Sequence, residues 1–557
     1  MMAGTLDTHE VFNQSPPYRD INLFESDRPL AEAVAREGGE EVAHSLSAFG
    51  ARIGAGDVLD EGRAANSWAP VLHAFDASGH RIDAIEFHPA YHAFMARSMA
   101  QGLHCQAFEH VATGAPPAAG RQVARFAGIY LMSQVEAGHV CPITMTHACT
   151  APLFKEPDLA RDWLPKILSR DYDPASLPIE KKRSVTVGMG MTEKQGGTDV
   201  RANTSSAEPL SSAGREYVLT GHKWFMSAPM CDAFMMLAQA PGGLSCFFVP
   251  RLRPDGSSNG LRLLRLKNKM GNRSNASSEV EFAGAQGTLV GEEGRGVATI
   301  LEMVTLTRQD CAASSAGLMR WGLVNALHHA RHRSVFQKKL IDQPLMAMVL
   351  ADMALDVEAA TALVFRLARA AGRADEDEGE AAFLRLMTPV AKYWCCKSVP
   401  PLVNEAMECV GGNGYVEDGV MAPLYREAPL NAIWEGSGNV MCLDVLRALE
   451  KSNAEAEAVL TGLAMQGGGD ARLGKVLDEV AGLLRNPARA VAEARFAVEQ
   501  IALLCAASEL RAHAPGEVAD TFIASRLGGR YRQTYGTFGG AGSGVPARQI
   551  LARVLED

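Results

Sequence analysis

YVLTGHKWFMSAPMCDAFMMLAQAPGGLSCFFVP, residues 217–250, is a series of short apolar segments rich in β-branched and aromatic residues, broken at APM and PGG. That composition suits pleated strands joined by tight turns. SSEVEFAGA (277–285) extends the series after the turn-forming GNRSN. The flanks carry a different period: PLAEAVAREGGEEVAHSLSAFG (29–50), HAFMARSMAQGLHCQAF (92–108) and ILEMVTLTRQDCAASSAGLMRWGLVNALHHARHRSVF (300–336) repeat apolar residues at helical spacing. The expected order is a helical domain (1–183), a compact antiparallel β domain (184–290), an antiparallel helical bundle (291–450) and an extra helical domain (451–557), with KSNAEAEAVLTGLAMQGGGD (451–470) as the joint. Few architectures insert one β domain between two helical ones.

At 557 residues the chain is too long for one core, and its 47% hydrophobic and 21% charged composition is that of a globular protein. The 11 cysteines show no C-x-x-C pairing and Cys395 adjoins Cys396, so reduced, buried thiols are expected, with no disulfide framework and no metal. The start, MMAGTLDTHEVFNQ, has neither a basic nor an apolar leader segment, and no run reaches the roughly 18 to 20 apolar residues of a membrane span. A cytoplasmic protein without a membrane partner is the expectation. The net charge of −10 repels phosphate backbones at long range. Residues 451–557 are balanced, however, with 12 Lys+Arg against 12 Asp+Glu.

Four stretches carry candidate chemistry. MGMTEKQGGTDV (189–200) joins the first helical region to the β domain, and its Thr192, Gly197 and Thr198 suit either a ligand-contacting loop or an ordinary polar turn. In HKWFMS (222–227), Phe225 and Ser227 share one face of a strand, where an aromatic ring and a hydroxyl fit a flat heterocycle or core packing. RHRSVFQ (331–337), ahead of Gln343, offers an arginine fork for a pyrophosphate, or a solvated helix end. The nearby His328 and His332, at i and i+4, lack an acidic third ligand and read as surface histidines. In AIWEGSGNVMCLDVLR (432–447), Glu435 is either a base, its pKa raised by an apolar pocket, or a carboxylate favoured by the helix dipole, with Ser437 as N-cap. GGNGY (411–415) and GAGSGV (540–545) lack a βαβ context and support no dinucleotide fingerprint.

In this order the motifs resemble the acyl-CoA dehydrogenase family: MTEKQGGTD the M-T-E-x-x-x-G-S-D flavin loop, KWFMS the K-x-W-I-T strand, KMGNRSNASSEVEF the K-x-G-x-R-x-S segment, RSVFQ the R-x-x-F-G turn and IWEGSGN the I-Y-E-G-T stretch. The resemblance implies a multidomain α plus β fold of acyl-CoA dehydrogenase type and FAD as cofactor. It further implies flavin contacts from Met191, Thr192, Gly197, Thr198, Phe225, Ser227, Trp434, Gly436, Ser437 and Asn439, with Glu435 as the base that takes the α-proton of an acyl-CoA. Arg333 and Gln343 would reach the FAD of a neighbouring subunit, so a homo-oligomer, a tetramer, is implied.

THEVFNQ (8–14), NLFESDRPLAEAVAREG (22–38) and QVEAGHVCPITMT (134–146) narrow the resemblance to the AidB-like subgroup, associated with the bacterial response to DNA alkylation. That subgroup implies binding of double-stranded DNA and weak dehydrogenation of isovaleryl-CoA. The arginines placed on a DNA face are Arg447, Arg485, Arg526, Arg530 and Arg532. A catabolic acyl-CoA dehydrogenase whose extra domain does not touch DNA is the alternative. Trp434 in place of the family's tyrosine, and Gln337 in place of its glycine, depart from the pattern; the larger ring narrows an acyl pocket.

Overall fold

The computed structural model describes residues 8–211, 214–451, 453–528, 535 and 547–555. Helices Arg28–Gly38, Glu40–Ile53, Gly56–Ser67, Pro89–Gln101, Arg121–Val135, Val140–Ala148 and Pro157–Ile167 make most of the first region. This mostly helical region is interrupted by one antiparallel hairpin that the sequence reading did not foresee, Val71–Phe75 with Arg81–Glu86. Its strands alternate half-buried and exposed residues over a DASG turn, a period of two rather than 3.6. The hairpin docks on the next domain, Arg81 donating to the Leu263 carbonyl at 3.1 Å and Asp83 accepting from the Leu263 amide at 3.2 Å.

Strands Ala233–Ala240, Ser206–Pro209, Glu216–Ser227, Ser277–Val290 and Gly243–Pro250 hydrogen-bond in that order, and the last pairs back to the first. Leu261–Leu266 flanks Ser277–Val290. The purely antiparallel expectation is corrected at Val187–Gly190, which pairs parallel to Ala233–Ala240. That strand arrives directly from the helical domain, so no hairpin dictates its direction. Phe234, Met235, Met236, Phe247 and Phe248 fill the interior completely.

Gly296–His332 is 37 residues without a proline and packs on Glu378–Val410, Pro344–Arg373 and Arg121–Val135, so the bundle and the first domain share one face. Beyond Gly438–Lys451 lie Asn453–Gln466, Ala471–Leu484, Pro487–Ala492, Ala494–His513, Gly516–Arg526 and Ala547–Ala552. These helices are not a separate body. Val498, Ile501, Leu504, Phe522 and Ile523 belong to the same core as Leu355, Val399 and Leu402.

Buried ion pairs fasten the extension. Arg526 meets Asp352 at 2.6 Å and Asp356 at 2.8 Å, all three almost fully buried. Arg553 meets Glu358 at 2.7 Å and Glu32 at 2.6 Å. This corrects the placement of Arg526 on a DNA face: two carboxylates on the core side of the Pro344–Arg373 helix claim its guanidinium. Arg530 and Arg532 lie outside the described residues, while Arg447 and Arg485 are exposed. All 11 cysteines are free and buried, and among the described residues no helix is long and apolar enough to cross a membrane.

Candidate functional site

The 189–200 loop is built around a buried carboxylate. Glu193, fully buried, takes the Lys223 ammonium at 2.8 Å, the Thr204 amide at 2.7 Å and the Ser205 amide at 3.2 Å. Lys223 lies in the same strand as Phe225 and also donates to the Leu237 carbonyl at 2.7 Å, so one ion pair ties the loop to the sheet. The cation and these amides hold Glu193 far below the usual carboxylate range, although burial opposes them. Thr192 accepts from the Trp224 amide through its carbonyl at 2.8 Å, and a Cβ on Gly197 would stand 2.5 Å from the Thr192 hydroxyl oxygen. Glycine is the residue that lets the loop close this tightly.

Replacing Lys223 with methionine strands Glu193 in the interior, an uncompensated buried charge of the kind that costs about 3–5 kcal/mol. The expected result is a lower midpoint in chemical denaturation together with loss of retained FAD. An unchanged midpoint would show that the ion pair does not organise the loop.

Along Glu216–Ser227, Met226 is buried, while Phe225 is 50% exposed and Ser227 is half-buried, so the latter two open to the same side. Lys267 lies 4.5 Å from the Phe225 ring centre. Ser227 bonds Ser277 at 3.2 Å, and Lys269 donates to Ser277 at 3.1 Å and to the Asn275 carbonyl at 2.6 Å. Burial brings the Lys269 ammonium down to about 8.

Glu435 approaches from the bundle. It has φ 59°, followed by Gly436 at φ 98°, so the chain reverses through the left-handed region just before Gly438–Lys451. Its Oε2 accepts from the Thr307 hydroxyl at 2.6 Å, and its carbonyl accepts from Arg308 Nε at 2.9 Å. Arg308 is held in turn by Asp444 at 2.8 Å. Burial pushes the Glu435 carboxyl up; the Thr307 hydrogen bond and the charges of Lys392 and Arg308 pull against it. Desolvation wins, and the carboxyl lies above the ordinary glutamate range.

Cys141 is buried, its thiol pushed up to about 11 by desolvation, and it feels the charges of Lys269 from the β domain and of Glu435 from the bundle. Met191 and Thr192 are half-buried, Gly197 and Thr198 exposed, Trp434 and Gly436 half-buried, and Ser437 exposed. Trp434 is anchored by Asn431 at 2.9 Å, and Asn439 is engaged by Arg495 of the C-terminal extension at 2.8 Å. A half-exposed aromatic face, glycine backbone and hydroxyls are groups suited to a flat, hydrogen-bonding cofactor.

Arg333 and Gln343 stand elsewhere. Arg333 is 26 positions beyond Thr307, about 39 Å of helix. It donates to the Asn13 carbonyl at 2.7 Å, and Gln343 to the Val335 carbonyl at 3.0 Å. His328 bonds the Pro16 carbonyl at 2.9 Å and His332 the His328 carbonyl at 2.8 Å; no metal-type cluster forms among the described residues.

Thr307, Arg308, Lys392 and the Glu193–Lys223 pair went unnoticed in the sequence. A lone lysine inside the apolar run MTPVAKYWCC was the available signal for Lys392.

Three family models match in chain order: the AidB N-terminal domain at residues 13–174, the acyl-CoA dehydrogenase middle domain at 188–285 and its C-terminal domain at 294–450. AidB of Escherichia coli (strain K12), described as an acyl-CoA dehydrogenase, is 47% identical over 91% of this chain and 92% of its own. The chain belongs to the acyl-CoA dehydrogenase family, in its AidB-like branch.

Acyl-CoA dehydrogenase family member 11 of Caenorhabditis elegans is 32% identical over 77% of this chain and 70% of its own. The crystal structure of C. elegans ACDH-11 in complex with C11-CoA superposes with a TM-score of 0.85 at 28% identity, covering 94% of this chain and 95% of that one. As an acyl-CoA dehydrogenase the chain is an FAD-dependent oxidoreductase of CH–CH bonds. The motifs that marked the family in the sequence thus identified it correctly.

Proposed function

We propose that the protein binds an acyl-CoA in the cleft between Phe225 and Glu435, with Glu435 as its catalytic base, and that its C-terminal helices bind double-stranded DNA in the cytoplasmic response to alkylation. The Glu435 carboxyl, held by Thr307 in a left-handed turn, is the observation that carries the first part. When bound, FAD supplies the acceptor for the β-hydride. Thr192, Thr198, Phe225 and Ser227 would hold its ring system. Glu435 takes the α-proton, and Thr307 keeps the receiving carboxylate oriented through its 2.6 Å hydrogen bond. The C11-CoA complex of the C. elegans relative supports a CoA thioester as the ligand class. Trp434 beside the base favours short or branched acyl groups such as isovaleryl.

Because Arg333 and Gln343 lie so far along the helix from Glu435, they serve a flavin of another copy, which supports a tetramer. Phe336, at the tip of the adjoining hairpin with φ 51° and 90% exposure, is a surface suited to that contact. Sedimentation giving only monomer would exclude the shared site.

For DNA, the exposed Arg447 and Arg485 remain as candidates. Titration of the yellow protein with isovaleryl-CoA should bleach the flavin, and titration with duplex across a salt series should show a steep salt dependence. Reversing both charges, Arg447→Glu with Arg485→Glu, should flatten the logarithmic salt slope by roughly one to two and leave bleaching intact. A wild-type protein that ignores duplex at low salt would instead establish the catabolic alternative. A strain lacking the protein and no more sensitive to methylating agents would remove the alkylation response.

A further inference from the structure

Two buried cations converge on one short stretch of main chain. Lys392, 1% exposed within Glu378–Val410, donates from Nζ to the carbonyl of Trp434 at 2.8 Å and to that of Gly436. Arg308 donates to the carbonyl of Glu435 between them at 2.9 Å. Three consecutive carbonyls thus each accept from a positive side chain. Two of these residues, Glu435 at φ 59° and Gly436 at φ 98°, occupy the left-handed region, which a glutamate visits only when its surroundings over-determine it.

The geometry points to Lys392 as a positioning residue for the dehydrogenation: it pins the 434–436 main chain in the turn that aims the Glu435 carboxyl. This rests on the reading of Glu435 as the base. The groups facing Glu435 are Thr307, Arg308 and Cys311 from Gly296–His332, Cys141 from Val140–Ala148, Lys392 from Glu378–Val410 and, through Arg308, Asp444 from Gly438–Lys451. Burial raises the carboxyl and three of these groups, Thr307, Lys392 and Arg308, lower it, so loss of Lys392 moves it further up.

Lys392→Met keeps the stem and removes donor and charge; Lys392→Gln keeps a donor; Lys392→Arg keeps both. Two measurements read the outcome: infrared titration of the Glu435 carboxyl, obtained by difference against Glu435→Gln and independent of the flavin, and the pH dependence of flavin reduction by isovaleryl-CoA. In the methionine variant the carboxyl should titrate at higher pH, with the acid limb of the rate following it. On the acid limb the rate should fall about tenfold for each pH unit the titration moves, with KM nearly unchanged. Arginine should restore most of both. Glutamine should show the titration shift with a smaller loss of rate, and its comparison with arginine decides the matter if the methionine variant does not fold. An unmoved carboxyl titration in the glutamine or methionine variant, or an arginine variant no better than glutamine, overturns the proposal. Full flavin reduction by Glu435→Gln would instead overturn the base assignment and the catalytic role of Lys392 with it, while the infrared shift would still report the electrostatic contact.

Discussion

Glu435→Gln is expected to slow flavin reduction by isovaleryl-CoA by roughly 10²- to 10⁴-fold, the contribution of a positioned general base. The variant should stay yellow, because glutamine matches glutamate in shape and its amide oxygen still accepts from Thr307, which now holds 2.6 Å from the carboxylate. Stopped-flow reduction under anaerobic conditions measures the effect; a loss below about threefold would remove Glu435 from the role. In the unaltered protein, activity should fall as pH drops through the raised pKa of this carboxyl, since the proton it then carries blocks abstraction. That acid limb should lie above the range of an exposed glutamate, because burial outweighs Thr307, Lys392 and Arg308.

Cutting the chain after Lys451 is expected to yield no soluble flavoprotein at all. The missing helices carry Val498, Ile501, Leu504, Phe522 and Ile523 out of a core they share with the bundle. They also remove Arg526 from Asp352 and Asp356, and Arg553 from Glu358. A single change isolates the electrostatic share: Arg526→Met should cost about 3–5 kcal/mol in denaturant unfolding, since the carboxylates lose a guanidinium while remaining buried. A soluble, yellow truncated protein would show that the extension is an independent domain. For this reason charge reversal at Arg447 and Arg485 is a cleaner probe of DNA binding than deletion.

The domain order was legible from 217–250 and its flanks because strand and helix periods differ and both run long enough there to be distinguished. The hairpin at 71–86 was not: ten or so residues of VLHAF and RIDAIE, exposed on one face and only half-buried on the other, give a weak alternation amid strong helical signals. Glu435 stood out beside its glycines, and Phe225 with Ser227 fell on one face as their spacing required. What joins them did not show. Thr307 and Arg308 precede Glu435 by more than 120 positions, and no local pattern marks a contact of that span. Arg526 misled for the same reason, because sequence proximity to Arg530 and Arg532 says nothing of two aspartates some 170 residues earlier.

The pairing of Arg553 with Glu32, and of Arg320 with the Val554 carbonyl, has a kinetic corollary. Helix Arg28–Gly38 packs on helices made by residue 373, but its Glu32 cannot meet Arg553 until more than five hundred further residues have been synthesised. Until then Glu32 waits without Arg553, at the usual 5–20 residues per second, for roughly half a minute or longer.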